Sequence, residues 1–269
     1  ATPIPRTLAI ILYGDLDISI IDELPPGRQK IDTYAVRRNM EERVNNFIRK
    51  EINTGRQAYI VCPLVEESEE MDGVKSVTEQ LEYYKNIFSD YKVEMLHGKM
   101  KPKEKDEIMM RFKNGEINIL ISTTVIEVGV DVPNSTLMII ENAERFGLAQ
   151  LHQLRGRVGR GKFKSYCILK YEGKSDVVQK RMDIMQKTND GFVISERDLE
   201  LRGPGDFFGT KQHGIPEFKV ANLFVDVPIL KKAQQVANTI LEHDEELKLP
   251  ENAPLKGSIN KLFSEKVGI

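Results

Sequence analysis

The chain has 269 residues, enough for one core domain of about 150 to 170 residues and an appendage. Hydrophobic residues make up 40% of it, and its 39 basic and 41 acidic residues nearly cancel, so overall charge does not indicate a nucleic-acid-binding protein and any basic surface must be local. Cys62 and Cys167 lie inside apolar runs as small core residues, and with four scattered histidines we expect neither a disulfide nor a metal site. No segment resembles a signal peptide or a membrane span, which indicates a cytoplasmic protein without membrane contact.

Strand-like and helix-like hydrophobic patterns alternate along the first 121 residues. Strands are predicted at 17–24, 29–36, 57–65, 91–96 and 117–121, and helices at 39–53, 77–88 and 102–112. The first two strands are separated by Pro25-Pro26-Gly27, a turn that can close a hairpin, and the acidic stretch 66–72 is predicted to be a solvated loop. The alternation predicts an α/β fold with a doubly wound parallel sheet, whose ligand crevice lies at the carboxyl ends of the strands.

One segment that follows a predicted strand carries groups suited to nucleic acid and nucleotide. It reads Ile121-Ser-Thr-Thr-Val-Ile-Glu-Val-Gly-Val-Asp-Val-Pro133. The hydroxyls of Thr123 and Thr124 can contact a phosphate. Gly129 permits close backbone approach, and Asp131 can bond a ribose hydroxyl. The plainer interpretation is an ordinary strand end of an α/β protein.

An arginine-rich segment follows, Gln150-Leu-His-Gln-Leu-Arg-Gly-Arg-Val-Gly-Arg160, with arginines at 155, 157 and 160. Planar, permanently charged guanidinium groups on a glycine-flexed segment suit a nucleotide γ-phosphate. The alternative is a solvated basic loop that ends a helix. Residues 152–219 hold fourteen Lys/Arg and nine Asp/Glu, a local balance of +5 in a chain of net charge −2, so positive charge suited to phosphate is concentrated here.

The pattern changes beyond residue 170. A helix is predicted at 175–187, and five glycines and a proline in the segment 191–214 indicate a bent helix-loop element. An amphipathic helix is predicted at 228–243, and the tail beyond it carries apolar residues on one possible helical face. The predicted domains are residues 1–172 and residues 173–269.

These segments resemble the motifs of superfamily 2 helicases. Motif VI, Q-x-x-G-R-x-G-R, is matched by Gln153, Gly156, Arg157, Gly159 and Arg160. Residues 121–133 resemble motif V, residues 57–65 resemble motif IV, and the start Ala1-Thr-Pro-Ile-Pro-Arg-Thr resembles the end of motif III. Residues 191–214 are very similar to the TRG motif, the translocation element shared by RecG and Mfd, in D-G-F-x-I, D-L-E-L-R-G-P-G and G-T-x-Q-x-G. The resemblance to the RecG family covers nearly the whole chain, with His213 in place of an expected small hydroxyl residue.

The resemblance implies a RecA-like second helicase lobe with a C-terminal TRG appendage, and it implies a role for each matching residue. The arginine finger would be Arg160, assisted by Arg157. The nucleotide-binding set would be Gly129, Asp131 and Gln153. The groups along the nucleic-acid track, or coupled to it, would be Thr123, Thr124, His97, Arg202 and Gln212. For His97, which precedes Gly98 in an H-G-x-M segment, a structural turn residue is the alternative.

ATP and Mg²⁺ would be bound mainly by a first lobe, which is expected to lie before residue 1. Gly173-Lys174-Ser175 is the only Gly-Lys-Ser/Thr sequence here, but position 168, where a P-loop requires its first glycine, is Ile. The 269 residues alone are therefore expected to lack ATPase activity, and robust Arg160-dependent hydrolysis by them would contradict this expectation.

The resemblance further implies an ATP-dependent translocase on double-stranded DNA that acts on branched DNA, such as replication forks and Holliday junctions, in recombination and repair. Its partners would be branched DNA and, within the same protein, the first lobe and an N-terminal wedge domain. The alternatives are an Mfd-like translocase that pushes RNA polymerase, an RNA helicase with the same lobe, and a catalytically inert docking lobe. The sequence D-L-E-L-R-G-P-G-D argues against the Mfd-like translocase, and residues 191–214 argue against the RNA helicase. The presence of Arg157, Arg160 and Asp131 argues against an inert docking lobe.

Overall fold

The computed structural model of the chain describes residues 19, 21, 23, 28–63, 70–123, 131–207 and 226–266. The strands within these ranges are β1 (Ile31–Val36), β2 (Gln57–Val61), β3 (Val93–Leu96), β4 (Ile119–Ser122), β5 (Ser135–Ile140) and β6 (Ser165–Lys170). The helices are α1 (Glu41–Asn53), α2 (Glu70–Ile87), α3 (Pro102–Lys113), α4 (Leu148–Arg155), α5 (Asp176–Lys187), α6 (Gly191–Phe207), α7 (Val227–His243) and α8 (Ala253–Lys266).

The six strands form one parallel sheet in the order β1-β6-β5-β2-β4-β3. Because successive side chains of a strand point to opposite faces, β2 directs Tyr59 and Val61 to one face and Ala58 and Ile60 to the other. Helices α3 to α6 contribute to the core on the first face, and α1 and α2 to the core on the second. The predicted α/β class and doubly wound parallel sheet are confirmed.

Most predicted elements are confirmed with ends shifted by a few residues, and the differences have local causes. Strands β5 and β6 were not predicted, because a short continuous apolar run cannot be distinguished from a buried helix by periodicity. The prediction of a loop over residues 66–72 is wrong at its end, since α2 already begins at Glu70. The predicted strand at 17–24 and its turn fall almost entirely outside the described residues.

The bent helix-loop element predicted for residues 191–214 is one helix as far as Phe207, and residues 208–214 lie outside the described part. The helix continues through Gly203-Pro204-Gly205 although both residue types disfavour helix interiors. Its early turns are held by Ile194 and Leu199, which are 0% and 4% exposed.

The described chain divides into two compact units. The first holds the sheet and α1 to α6, with α5 contacting β1 and with α6 contacting α4 and α5. In the second, which holds α7 and α8, the Asp244 carboxylate ends α7 by accepting hydrogen bonds from the backbone N–H groups of Lys248 and Leu249, at 2.7 and 2.9 Å, and from Asn252. The predicted domain boundary after residue 172, where the TRG-like appendage would begin, stays a prediction.

Both cysteines lie in the core as predicted, Cys62 at 1% and Cys167 at 0% exposure. Their thiols are free, and burial raises the pKa of each to about 12. Among the helices of the described ranges, none is long and apolar enough to cross a membrane.

Candidate active site and nucleic-acid interface

The arginine-rich segment begins in α4 and continues as a loop over residues 156–162, which we call the arginine loop. Two of its glycines allow backbone approaches that no side chain would permit. Gly159 has a φ of +78°, and a Cβ there would lie 2.8 Å from Cγ1 of Ile31, the first residue of β1. At Gly161 a Cβ would lie 2.6 Å from the carbonyl oxygen of Pro133. The loop is thus pressed against the start of β1 and the turn that precedes β5.

Arg160 is held loosely at this place. Its Nη1 lies 3.5 Å from Oδ1 of Asp131, and its Nε donates to the carbonyl oxygen of Gly156 at 3.5 Å. The side chains of Arg160 and Asp131 are 31% and 53% exposed, and an ion pair this open to water is weak. The Arg160 guanidinium can therefore exchange its carboxylate partner for another anion at little cost.

Arg157 is half-buried on the same loop. Burial raises the pKa of the Tyr59 phenol in β2, while the nearby charges of Arg160 and Arg157 act in the opposite direction. Both guanidinium groups therefore lie close enough to Tyr59 to influence it. Gln153, the motif VI side chain assigned to the nucleotide-binding set, lies half-buried in α4.

Arg155 has a different role from its two neighbours, although the sequence presents all three arginines as phosphate ligands. It is 1% exposed, and its Nη1 donates to the carbonyl oxygens of Met185 and Thr188 at 2.8 and 2.9 Å. Those carbonyls lie at the end of α5, where a cation is favoured by the helix dipole. Burial lowers the pKa of the Arg155 guanidinium. The interpretation of Arg155 as a phosphate-facing group is wrong, because the preceding helix turns it inward, where it ties α4 to the junction of α5 and α6.

His152 supports Arg155 and creates a pH dependence. Its Nδ1 lies 3.1 Å from Nη2 of Arg155, so the imidazole must be neutral to accept the hydrogen bond. Burial, followed by the charge of Arg155, lowers the pKa of His152 to about 4. Because the unfolded state gains this proton near the ordinary pKa of 6.5, the stabilisation is complete above that pH and is lost as pH falls towards 4.

We therefore expect the 269-residue chain to lose about 2 kcal/mol of unfolding free energy through His152 between pH 7 and pH 5. The measurement is urea unfolding at both pH values, followed by circular dichroism. His152→Asn keeps an acceptor but does not titrate, so its unfolding free energy should fall less over the same interval. Equal pH dependence of the two proteins would contradict the assignment.

The predicted site residues lie at two opposite ends of the sheet. Asp131 precedes β5, and Arg160 precedes β6, so both lie at the amino-terminal ends of the strands. Thr123 and His97 directly follow β4 and β3 and lie at the carboxyl ends. The second pair lies at the carboxyl ends, where the ligand crevice is predicted, whereas the first pair lies at the other end of the sheet; a ligand at either place stays a prediction. The reason is topological, since α4 runs back along the sheet after β5 and delivers the arginine loop to the other end.

The site at the carboxyl ends contains buried polar atoms that have no hydrogen-bond partner among the described residues. Thr123 is 1% exposed, and its Oγ1 has no hydrogen-bond partner among the described residues; the same is true of Nδ1 of His97. The two residues are brought together by the hydrogen bond from the Thr123 backbone N–H to the carbonyl oxygen of Leu96, at 3.4 Å. Burial, and then the charges of Lys105 and Lys99, lower the pKa of His97. Unpaired buried polar groups beside lysines are an arrangement that an anionic ligand would complete.

The remaining predicted site residues can be placed only in part. Thr124, Gly129 and Gln212 lie outside the described residues. Arg202 lies in α6, and only its backbone position is described. A residue that sequence reasoning missed is Arg28, whose Nη2 donates to the carbonyl oxygen of Gly156 at 2.8 Å. Nothing in the local pattern marks Arg28, because the contact joins positions 128 residues apart.

The close approach at Gly159 leads to a quantitative expectation. Gly159→Ala combines a positive φ, which costs about 1 to 2 kcal/mol for a residue with a Cβ, with overpacking against Ile31. Gly115→Ala is a matched control, since its φ is +80° but nothing lies within 4 Å of the added carbon. In urea unfolding of the 269-residue chain, Gly159→Ala should destabilise more than Gly115→Ala. Equal losses of unfolding free energy in the two variants would mean that the arginine loop accommodates the extra methyl group without overpacking against Ile31.

Comparison with known proteins assigns the fold to one class. Residues 40–162, which include β2 to β5 and the arginine loop, match the helicase conserved C-terminal domain, so this part of the chain is a second helicase lobe. Residues 188–268 match domain 3, C-terminal, of the ATP-dependent DNA helicase RecG. The chain belongs to the RecG family and corresponds to its C-terminal region.

Sequence similarity to relatives extends along almost the full chain. The ATP-dependent DNA helicase RecG of Bacillus subtilis is 52% identical over 262 residues, which are 97% of this chain and 38% of that protein. RecG of Thermotoga maritima is 48% identical over 256 residues, 93% of this chain and 33% of that protein. A solved structure of RecG bound to a three-way DNA junction superposes with a TM-score of 0.66 and 46% identity, covering 86% of this chain and 30% of that one. The chain thus spans about a third of the length of the relatives that it matches.

Proposed function

We propose that this chain supplies the second lobe and the TRG element of an ATP-dependent translocase that acts on branched double-stranded DNA. The observation that carries the proposal is the weak hold on Arg160. This side chain extends from the arginine loop, and its ion pair with the Asp131 carboxylate is long and open to water. A guanidinium in this state is suited to leave Asp131 and to stabilise negative charge on a transferring phosphoryl group. A lobe that served only as a docking module would have no need of it.

The nucleotide site would be shared between two lobes. Bound ATP would supply the phosphoryl bond to be hydrolysed, with Mg²⁺ held mainly by the first lobe. Arg160, with Arg157 beside it, would donate to phosphate oxygens, and Asp131 would turn to the ribose. Gln153 and Gly129 would complete the set. The exposed donors on the arginine loop fit an anionic phosphate group, which supports this assignment.

The DNA would pass the opposite end of the sheet. Thr123 and His97 offer buried polar atoms there that have no partner in the described part of the chain, and Thr124 would extend the same contact to a phosphate. This separation gives the two ligands access to one lobe without competing for space. The rigid sheet between them would carry lobe movement from the nucleotide end to the DNA end.

Coupling to translocation would run through α4 to α6. Arg155 connects the helix that precedes the arginine loop with the carbonyls at the end of α5, and the later of these, at Thr188, lies three residues before α6 begins at Gly191. Arg202 in α6, and Gln212 beyond it, would then transmit the movement of the arginine loop to DNA. Replication forks and Holliday junctions would be the substrates, a wedge domain of the same protein would select them, and the cytoplasm would be the place of action.

The test is ATP hydrolysis by the full-length parent protein with forked, linear duplex and single-stranded DNA as stimulants. We expect the forked DNA to stimulate most, because a branch-specific translocase couples turnover to that substrate. Turnover that is indifferent to DNA would refute the coupling and favour the docking-module alternative. Retention of RNA polymerase by the full-length protein, without preference for forked DNA, would instead favour the Mfd-like alternative.

A further inference from the structure

The segment just ahead of β1 holds both ends of the arginine loop. At one end, Nη2 of Arg28 donates to the carbonyl oxygen of Gly156 at 2.8 Å. At the other end, Nε2 of Gln29 donates to the carbonyl oxygen of Lys162, also at 2.8 Å. Between these two anchors, Gly159 packs directly on Ile31. The conformation of the loop that carries Arg157 and Arg160 is therefore set by residues more than 120 positions away in sequence.

Arg28 and Arg160 meet at one atom. The carbonyl oxygen of Gly156 accepts from Nη2 of Arg28 at 2.8 Å and lies 3.5 Å from Nε of Arg160. Since the shorter bond is formed by Arg28, Arg160 retains only a marginal hold on this carbonyl. The other contact of the Arg160 guanidinium is Asp131, at 3.5 Å.

Repulsion between the charges of Arg28 and Arg160 also weakens the hold of Arg160 on the Gly156 carbonyl. Arg28 is half-buried, and its pKa is lowered first by burial and then by the charge of Arg160, with Asp131 opposing both. Two guanidinium groups that share a carbonyl repel each other, so Arg28 favours a position of Arg160 directed away from the loop backbone. The glycine at position 156 leaves room for this contact, since a Cβ there would lie 3.2 Å from Nη2 of Arg28.

We propose that Arg28 is a positioning residue for Arg160, holding the end of α4 and directing the arginine finger outward towards the nucleotide. The proposal rests on the proposed ATPase function of the parent protein. Arg28 itself touches no reacting atom in this scheme. Its removal would leave Arg160 free to bond the Gly156 carbonyl fully, and a displacement of this kind at a catalytic group can cost about 100-fold in rate.

The experiment measures DNA-stimulated ATPase kinetics of the full-length protein with Arg28→Ala and Arg28→Lys. We expect Arg28→Ala to lower kcat by about 10- to 100-fold while KM for ATP changes less than about threefold, because positioning acts on the transition state. Arg28→Lys keeps the charge and one donor, so its kcat should lie between those of Arg28→Ala and the wild type. Arg38→Ala is the control, because its side chain is 81% exposed and its ion pair, with Glu172, spans 3.6 Å.

A double variant separates positioning from general stability. In an Arg160→Lys background, Arg28→Ala should cause little further loss, because its effect acts through the Arg160 guanidinium. A wild-type kcat in both Arg28 variants, or an undiminished loss in the Arg160→Lys background, would overturn the proposal. If Arg28→Ala fails to fold, a wild-type kcat for Arg28→Lys overturns it alone. These outcomes differ from a failure of the proposed function, in which the wild type would show no DNA-stimulated turnover.

Discussion

Arg160→Ala in the full-length parent protein is expected to reduce DNA-stimulated ATP turnover by about 10³- to 10⁵-fold. An arginine finger stabilises charge that develops in the transition state, and we expect Arg157, the other arginine of the loop, to assist Arg160 without replacing it. The measurement is steady-state ATPase activity with saturating forked DNA, complemented by single-turnover hydrolysis for the slow variant. Nucleotide affinity should change far less than turnover.

The same substitution should leave the lobe folded. The Arg160 side chain lies 3.5 Å from a half-exposed Asp131, and such pairs contribute little to stability. Thermal unfolding of Arg160→Ala should therefore match that of Arg38→Ala, a control at the opposite end of the sheet. Turnover that survives in Arg160→Ala would exclude the arginine-finger role, and a loss of fold would make Arg160 a structural residue.

Lys170→Met should destabilise the first unit by about 3 to 5 kcal/mol. Nζ of Lys170 lies 2.7 Å from Oε1 of Glu141 and 3.1 Å from Oε1 of Glu41. The side chains of Lys170 and Glu141 are 10% and 11% exposed, and Tyr84 donates a hydrogen bond of 2.5 Å to the same carboxylate. Removing the ammonium would leave that carboxylate buried with its charge unbalanced.

Urea unfolding of the 269-residue chain measures this loss, and two variants define its cause. Lys164→Met removes a 2.8 Å pair with Asp32 in which the lysine is 62% exposed, and it should change the stability little. Lys170→Met combined with Glu141→Gln should recover part of the loss, because the buried negative charge is then removed as well. If the single and double variants were equally unstable, packing and not charge would explain the effect.

The pH dependence of this cluster follows from the same contacts. Burial by itself would lower the pKa of Lys170, but the charge and hydrogen bonds of Glu141 and Glu41 outweigh it and raise the pKa. A raised folded-state pKa stabilises the protein fully below the ordinary value of 10.5, and the stabilisation is lost as pH rises through the folded-state pKa. The cluster therefore adds stability throughout the neutral range.

Local sequence was sufficient for much of the fold. Helix α3 shows why, since it begins at Pro102, ends before Gly115 at a φ of +80°, and has Glu104 accepting a hydrogen bond from the Lys101 backbone N–H at 3.0 Å. Each of these signals lies within one or two turns of its target, so the predicted bounds nearly coincide with the observed ones. The two cysteines were placed in the core for a similar reason, because each sits inside an apolar run.

Local sequence patterns predicted only part of the arrangement of the two candidate sites. Motif spacing predicted roles for Arg160 and Asp131, which the structure places 3.5 Å apart, and for Thr123 and His97. These roles stay predictions. Motif spacing could not separate the inward-facing Arg155 from Arg157 and Arg160, because all three share one glycine-rich stretch and differ only in the direction imposed by the end of α4. Nor could it show that the two pairs of site residues lie at opposite ends of the sheet.

What the sequence by itself determined, then, is the class of the fold, most element bounds, the family and the side chains of the arginine loop, because those depend on patterns within about twenty residues. Tertiary structure alone decided the contact of Arg28 with Gly156, the burial of Arg155 against the end of α5, and the joining of Lys170 with Glu141 and Glu41. These contacts join residues separated by 29 to 129 positions. They arise from strand order and from the path of helices across the sheet, which no local pattern of residues encodes.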